Sequence, residues 1–144
     1  MNMAYPISFK TYRNGQVGAF FSDVPEAITA GATEAQALDR AQDALVVALS
    51  AYLDQSRPLP KPSKAKRGQR VVLVPARKAI KLGIHAAMQV LSVTQTQLGD
   101  RLGIDGRQVR RILDLDHESK LSQLESALAA LGLQASVEIT ATSN

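Results

Sequence analysis

With 144 residues, 45% of them hydrophobic and 21% charged, the chain has the make-up of an ordinary folded protein rather than a disordered tail. Without cysteine it can have no disulfide, thiol catalysis or cysteine-ligated zinc, and no run approaches the roughly 20 apolar residues of a membrane span. The net charge of +4 divides unevenly: residues 1–60 hold four Lys/Arg against six Asp/Glu and residues 61–144 thirteen against seven, so the second part is the expected partner of a polyanion.

The opening stretch MNMAYPISFKTYR lacks the apolar core of a signal peptide, and a cytoplasmic protein is expected. Within it, Pro6 to Arg13 alternates Ile7, Phe9 and Thr11 against Ser8, Lys10 and Tyr12, the period of a strand. Asn14-Gly15 is a strong hairpin signal, since both positions tolerate positive φ, and Val17 to Ser22 is the returning strand. A third strand is expected over Ala27 to Ala30, after a turn containing Pro25. The period then becomes helical. Ala37, Leu38, Ala41, Leu45, Ala48, Leu49, Tyr52 and Leu53 form one face of a helix capped by Thr33 and Gln36 and running to about Gln55.

Pro58, Pro60 and Pro62 favour an extended run that could serve as an interdomain linker. However, the β-branched segment Gln69 to Pro75 needs a sheet, and the nearest is the N-terminal one. The prolines are therefore read as a loop inside a first domain, residues 1–76, of order β-β-β-α-β.

The second domain, residues 77–144, reads as helical with a short C-terminal strand. Ile80, Ile84, Met88 and Leu91 line a first helix; Thr94 caps a second, Asp105 a third, and Ser119 or its neighbour a fourth that Gly132 ends. Leu98, Leu102, Ile104, Val109 and Ile112 face inward, with Gly99 where two helices cross and Gly103 in the turn. That spacing is the one a helix-turn-helix requires. It leaves Asp105, Gly106, Arg107, Gln108, Arg110 and Arg111 outward on a recognition helix, and Thr94, Gln95 and Thr96 beside the DNA backbone. The competing reading is a structural bundle with a solvated arginine face. The final segment Gln134 to Thr140 alternates Ala135, Val137 and Ile139; a lone strand is unstable, so Val137 and Ile139 are expected to pair with a second copy of the chain.

Residues Val93 to Leu133 resemble the phage-repressor (Xre/Cro) helix-turn-helix family. The N-terminal order of strand, turn, strand, "FSDVP", a strand ending in "TAG", then "TEAQA" and a long helix resembles the HicB antitoxin family, although Pro25-Glu26-Ala27 stands where that family often has Pro-Gly and a cysteine. The resemblance implies an α+β protein: a partial RNase H-like domain without nuclease activity, then a DNA-binding domain. It also implies an antitoxin that occludes a HicA-type RNase toxin and represses its own operon. The tail pairing makes a homodimer or higher homo-oligomer the expected state, and its operator is then expected to be an inverted repeat. The alternative is a one-component regulator whose N-terminal domain senses a small ligand.

Catalytic and cofactor chemistry find little support in the residues. An RNase H-like nuclease needs several carboxylates on two metal ions, whereas Asp39 and Asp43 share a helix face with Arg40 in polar surroundings and Asp23 lies in a turn. His85 and His117 have no partners at metal-ligand spacing and read as packing or surface and as loop, respectively. The run Ser63 to Gly68, SKAKRG, reads as a solvated loop ahead of a nucleic-acid arm. No catalytic, cofactor or metal site is expected, and no enzyme.

Overall fold

The computed structural model describes residues 1–142 and divides into two compact units, Met1–Val74 and a second beginning at Pro75. The fold is mixed α+β. In the first unit, β1 (Ala4–Thr11), β2 (Val17–Phe20), β3 (Ile28–Gly31), α1 (Glu34–Asp54) and β4 (Arg70–Leu73) form a four-stranded antiparallel sheet of order β3-β2-β1-β4 with a helix on one face.

Strand β1 divides its pairing: Ala4 to Ile7 lie opposite β4, and Ser8 to Thr11 lie opposite β2. Pro6 therefore sits where β1 has a neighbour on one side only, the position in which a residue without an N–H is tolerated. The core-facing side carries Tyr5, Ile7, Ala19 and Val72, which pack beneath Ala37, Ala41, Leu45, Leu49 and Tyr52 of α1. On the opposite face Ile28 is 65% exposed, and Tyr12, Val71 and Leu73 are exposed as well.

The hairpin differs from expectation. Only Gly15 takes positive φ, at 85°, while its amide donates to the Tyr12 carbonyl (2.9 Å) and the Tyr12 amide to Gln16 (2.8 Å). This is a three-residue loop with a bulged glycine instead of a two-residue Asn-Gly turn. The Asn14 side chain is occupied as an acceptor for the Gln16 amide, which holds Asn14 in the ordinary region.

The proline run is tied to the first unit. Buried Tyr5 donates its hydroxyl to the Pro60 carbonyl (2.7 Å), and burial, reinforced by Asp23 and Tyr52, pushes its phenol up to about 12. Asp23 accepts both the amide and the hydroxyl of Ser63, and Gln69 donates to Ser8. These bonds make residues 57–69 an anchored loop, with β4 completing the sheet.

The second unit holds α2 (Ala76–Leu91), α3 (Gln95–Leu102), α4 (Gly106–Leu113) and α5 (Leu121–Ala130). Ile84, Met88, Val93, Leu98, Val109, Ile112, Leu124 and Leu128 form its core, with Ile80, Leu102 and Ile104 packed against it. Leu91, expected inward, is exposed, because α2 closes at left-handed Ser92 (φ 54°) and Val93 takes the inward place. Of Ser119 and its neighbour, the neighbour Lys120 is the cap residue of α5, with Gln123 reaching back to its amide. Ser119 is buried and bonded elsewhere.

The expected C-terminal strand does not form within the chain. Residues 133–142 carry no regular structure, and Val137 (83%) and Ile139 (93%) are bare to solvent. Within one chain the segment meets no sheet edge, so its backbone groups have no ladder to join.

Candidate nucleic-acid interface

Helices α3 and α4 are eight residues each, below the length at which a helix is stable in isolation, so their ends need fixing from outside the backbone ladder. Both have reciprocal caps. Thr94 Oγ1 accepts the Gln97 amide (3.1 Å) while Gln97 accepts the Thr94 amide (2.9 Å); Asp105 accepts the Gln108 amide (2.8 Å) while Gln108 accepts the Asp105 amide (3.3 Å). The turn between them is three residues. Gly103 ends α3 in the left-handed conformation, and Ile104 turns inward.

The crossing of the two helices depends on Gly99. A Cβ there would stand 3.0 Å from the Ile104 carbonyl and 3.1 Å from a Val109 methyl, closer than side chains ordinarily tolerate. Val109, Ile112 and Leu113 are the buried face of α4. At about 100° per residue, Arg107, Arg110 and Arg111 fall together on the opposite face.

Those three guanidinium groups are exposed and, among the described residues, have neither an ion pair nor a hydrogen bond; the three salt bridges use Arg57, Arg70 and Arg77 instead. By contrast, Arg101 on α3 is committed to the Ala130 carbonyl at the end of α5 (3.1 Å). An arginine fork held on a rigid helix without an internal acceptor is equipped to grip carboxylate, phosphate or a guanine edge.

The other candidates divide by how far they are already used. Gln95, Thr96 and Gly106 are exposed in the first turns of α3 and α4, beside backbone amides that lack helical acceptors. The Asp105 carboxylate and the Thr94 hydroxyl serve as caps, so their first role is to hold helix starts. Gln108 spends its amide oxygen in the same way and keeps its amide nitrogen. Val137 and Ile139 lie on the tail, outside this cluster.

The distribution of charge corrects the expectation built on it. Cut where the units divide, residues 1–74 hold nine Lys/Arg against six Asp/Glu, and residues 75–144 eight against seven. The basic excess lies in the anchored loop, where Lys61, Lys64, Lys66 and Arg67 occur with no acid, and in Arg70 at the start of β4. The second unit is close to neutral, and what distinguishes it is that three of its cations are unpaired on one helix face.

Reading the sequence missed Lys81, which is wholly buried and donates to the segment that follows α4. Its desolvation lowers its pKa, partly opposed by Asp114 and reinforced by Arg77. A row of basic residues at every fourth position of an otherwise apolar helix face was the available signal. Asp39 and Asp43 are exposed on α1, and among the described residues no three His, Asp or Glu side chains gather as a metal site.

A family model described as "HicB_like antitoxin of bacterial toxin-antitoxin system" matches residues 4–83, more than half of the chain. The chain belongs to the HicB-like antitoxin family. Relatives extend the likeness through the second unit. Antitoxin HicB 2 of Photorhabdus laumondii is 37% identical over 131 residues (91% of this chain and 92% of the relative), and Antitoxin HicB of Escherichia coli strain K12 is 31% identical over 135 residues (94% and 98%). Antitoxin HicB of Pseudomonas fluorescens is 37% identical over 119 residues, 82% of each chain. This HicB-like chain is thus similar to whole antitoxins, and its family is one of antitoxins and not of enzymes. No helix among its described residues is long and apolar enough to cross a membrane.

Proposed function

We propose that the chain is a two-part antitoxin: its first unit occludes a HicA-type RNase toxin, and its second represses the shared operon by binding operator DNA. The observation that carries the DNA half is the face of Arg107, Arg110 and Arg111, unpaired and opposed to the buried side of α4. With α3 and α4 read as a helix-turn-helix, α4 enters the major groove and its arginines divide between guanine edges and phosphates. The first turn of α3, Gln95 and Thr96, meets the flanking backbone.

The β-β-β-α-β order of the first unit fits a partial RNase H-like fold, and the exposed apolar face of Ile28, Val71 and Leu73 is the surface best suited to hold a protein partner. Neutralisation there is by occlusion, with no bond made or broken. The bare tail supplies the second copy: two tails pairing antiparallel through Val137 and Ile139 hold two recognition helices in fixed relation. The operator is then an inverted repeat with half-sites about 10–10.5 base pairs apart or a multiple of that spacing.

One experiment separates the two halves. The full chain carrying Arg107→Ala, Arg110→Ala and Arg111→Ala is titrated against operator duplex over a salt series and, in parallel, co-purified with the toxin. Each arginine that reads a base contributes about 1–3 kcal/mol, and each one that neutralises a phosphate adds about 0.9 to the salt slope. The expected result is loss of operator binding with full recovery of toxin. Unchanged operator affinity would remove the DNA assignment, and loss of toxin in a folded protein would show that the halves are wrongly divided.

A further inference from the structure

One face of α2 carries Arg77, Lys81 and His85, four residues apart, and all three reach the backbone between the end of α4 and the start of α5. Arg77 Nε donates to the Ser119 carbonyl (3.2 Å). Lys81 Nζ lies 3.0 Å from the Arg111 carbonyl, 2.6 Å from Asp114, 2.7 Å from His117 and 2.9 Å from Ser119 Oγ. His85 Nε2 is 2.7 Å from the Leu113 carbonyl. Ser119 Oγ in turn donates to the Arg111 carbonyl (3.2 Å).

The carbonyls of Arg111, Leu113 and Asp114 are among those a helix ending at Leu113 leaves without helical partners, and they form the negative end of its dipole. An ammonium there meets complementary charge. Yet Lys81 is 0% exposed and makes no ion pair among the described residues, an expensive way to achieve cohesion alone. An apolar side chain of similar volume commonly holds two helices together as well as a buried charge does. What hydrocarbon does not supply is direction. The contacts that α4 makes through Val109, Ile112 and Leu113 are apolar and carry no direction of their own.

We propose that Lys81, supported by His85 and Arg77, is a positioning residue for operator reading: bonds from α2 to the C-terminal carbonyls of α4 set the angle at which that helix presents Arg107, Arg110 and Arg111. This rests on the DNA-binding reading above. Base contacts need that angle, because a binding constellation must be held to about 0.5 Å and 10–20°. Phosphate contacts made by long, exposed arginines tolerate more. The clamp therefore acts on discrimination between sequences more than on affinity for DNA as such.

The test compares wild-type chain with Lys81→Met, which keeps the stem and removes the donors, in titrations against operator duplex and a random duplex of equal length. The expected result is a loss of operator preference on the order of tenfold to a hundredfold, the worth of a charged hydrogen bond, with random-duplex affinity and its salt slope retained. The chain has no cysteine, so Lys81→Cys can be alkylated with 2-bromoethylamine while unfolded and then refolded, restoring an ammonium at that one position. Return of the preference on aminoethylation is the expected rescue. An unchanged preference in folded Lys81→Met overturns the assignment, as does a lost preference that the restored ammonium fails to recover.

If Lys81→Met does not fold by circular dichroism, His85→Ala, at a half-buried position, decides by the same ratio: a lowered preference supports the clamp and an unchanged one overturns it. Amide exchange over residues 110–113 separates this inference from the DNA reading. If the wild-type chain shows no operator preference, the DNA reading fails; faster exchange in the variant then still supports the clamp, and unchanged exchange removes it.

Discussion

The two units use their polar side chains in opposite ways. In the first, polar groups tie a long loop to the sheet: Tyr5 holds Pro60, Asp23 holds Ser63, and Gln69 holds Ser8. In the second they set the ends of short helices: two reciprocal caps begin α3 and α4, and buried Lys81 closes α4. The first unit has the larger positive excess, on its anchored loop, and the second has the unpaired arginines. The contrast teaches that the excess of positive charge and the cations left without internal partners fall in different units.

The largest effect that would sharpen this contrast is on the tail. Deleting Ala135 to Asn144 removes Val137 and Ile139 and leaves the core of α2 to α5 intact. If those residues join two chains, the second half-site is no longer delivered at high effective concentration, and operator affinity falls by roughly 10²-fold or more. Analytical ultracentrifugation and operator titration check this together. A variant that remains a dimer with full affinity would place the seam elsewhere.

Next in size is the core on which the arginine face rests. Leu98 is fully buried between α3 and its neighbours, and Leu98→Ala is expected to cost about 2–5 kcal/mol, read as a lowered midpoint in urea. Tyr5→Phe is expected to cost less, about 1 kcal/mol, since it removes one hydrogen bond and keeps the buried ring. Its sharper readout is limited trypsin digestion, which should cut faster at Lys64, Lys66 and Arg67 once Pro60 is released. Digestion at the wild-type rate would show that the loop is held without Tyr5.

Much of this architecture is legible in the sequence because period and caps are local properties. The alternation of Ile7 and Phe9, the α1 face and the Thr94 and Asp105 caps all follow from residues within a few positions of one another. Gly99 is legible because a Cβ at that crossing would be crowded by the Ile104 carbonyl and Val109. What escapes depends on residues far apart in sequence. Tyr5 precedes a proline, and its place in the strand rests on the split pairing of β1 that accommodates Pro6, which needs β4, more than sixty residues away. Ser119 and its neighbour both read as helix caps, and the cap falls on Lys120 because the Ser119 hydroxyl is drawn inward by Lys81, 38 residues earlier. The charge asymmetry is real, but a division at residue 60 places the cations of the anchored loop in the wrong part of the chain.

The smallest expected effect is the one that most directly tests counted charge against placed charge. Replacing Lys61, Lys64, Lys66 and Arg67 with Gln removes four positive charges from the chain and changes its net charge from +4 to zero. If polyanion binding followed the overall excess, operator affinity would drop steeply and the salt slope would flatten by about 0.9 for each phosphate no longer neutralised, as in the arginine triple variant. If binding follows the unpaired arginines of α4 instead, the loop cations belong to the first unit, are solvated, and neutralise no phosphate. Charges that touch no phosphate act on DNA only through their field, which physiological salt screens with a Debye length of about 8 Å. Operator affinity at that salt is therefore expected to stay within about threefold, with the slope unchanged, and a modest loss is expected only at low ionic strength, where long-range steering survives. A flattened slope in this variant would make the loop a second DNA contact and move part of the reading surface into the first unit.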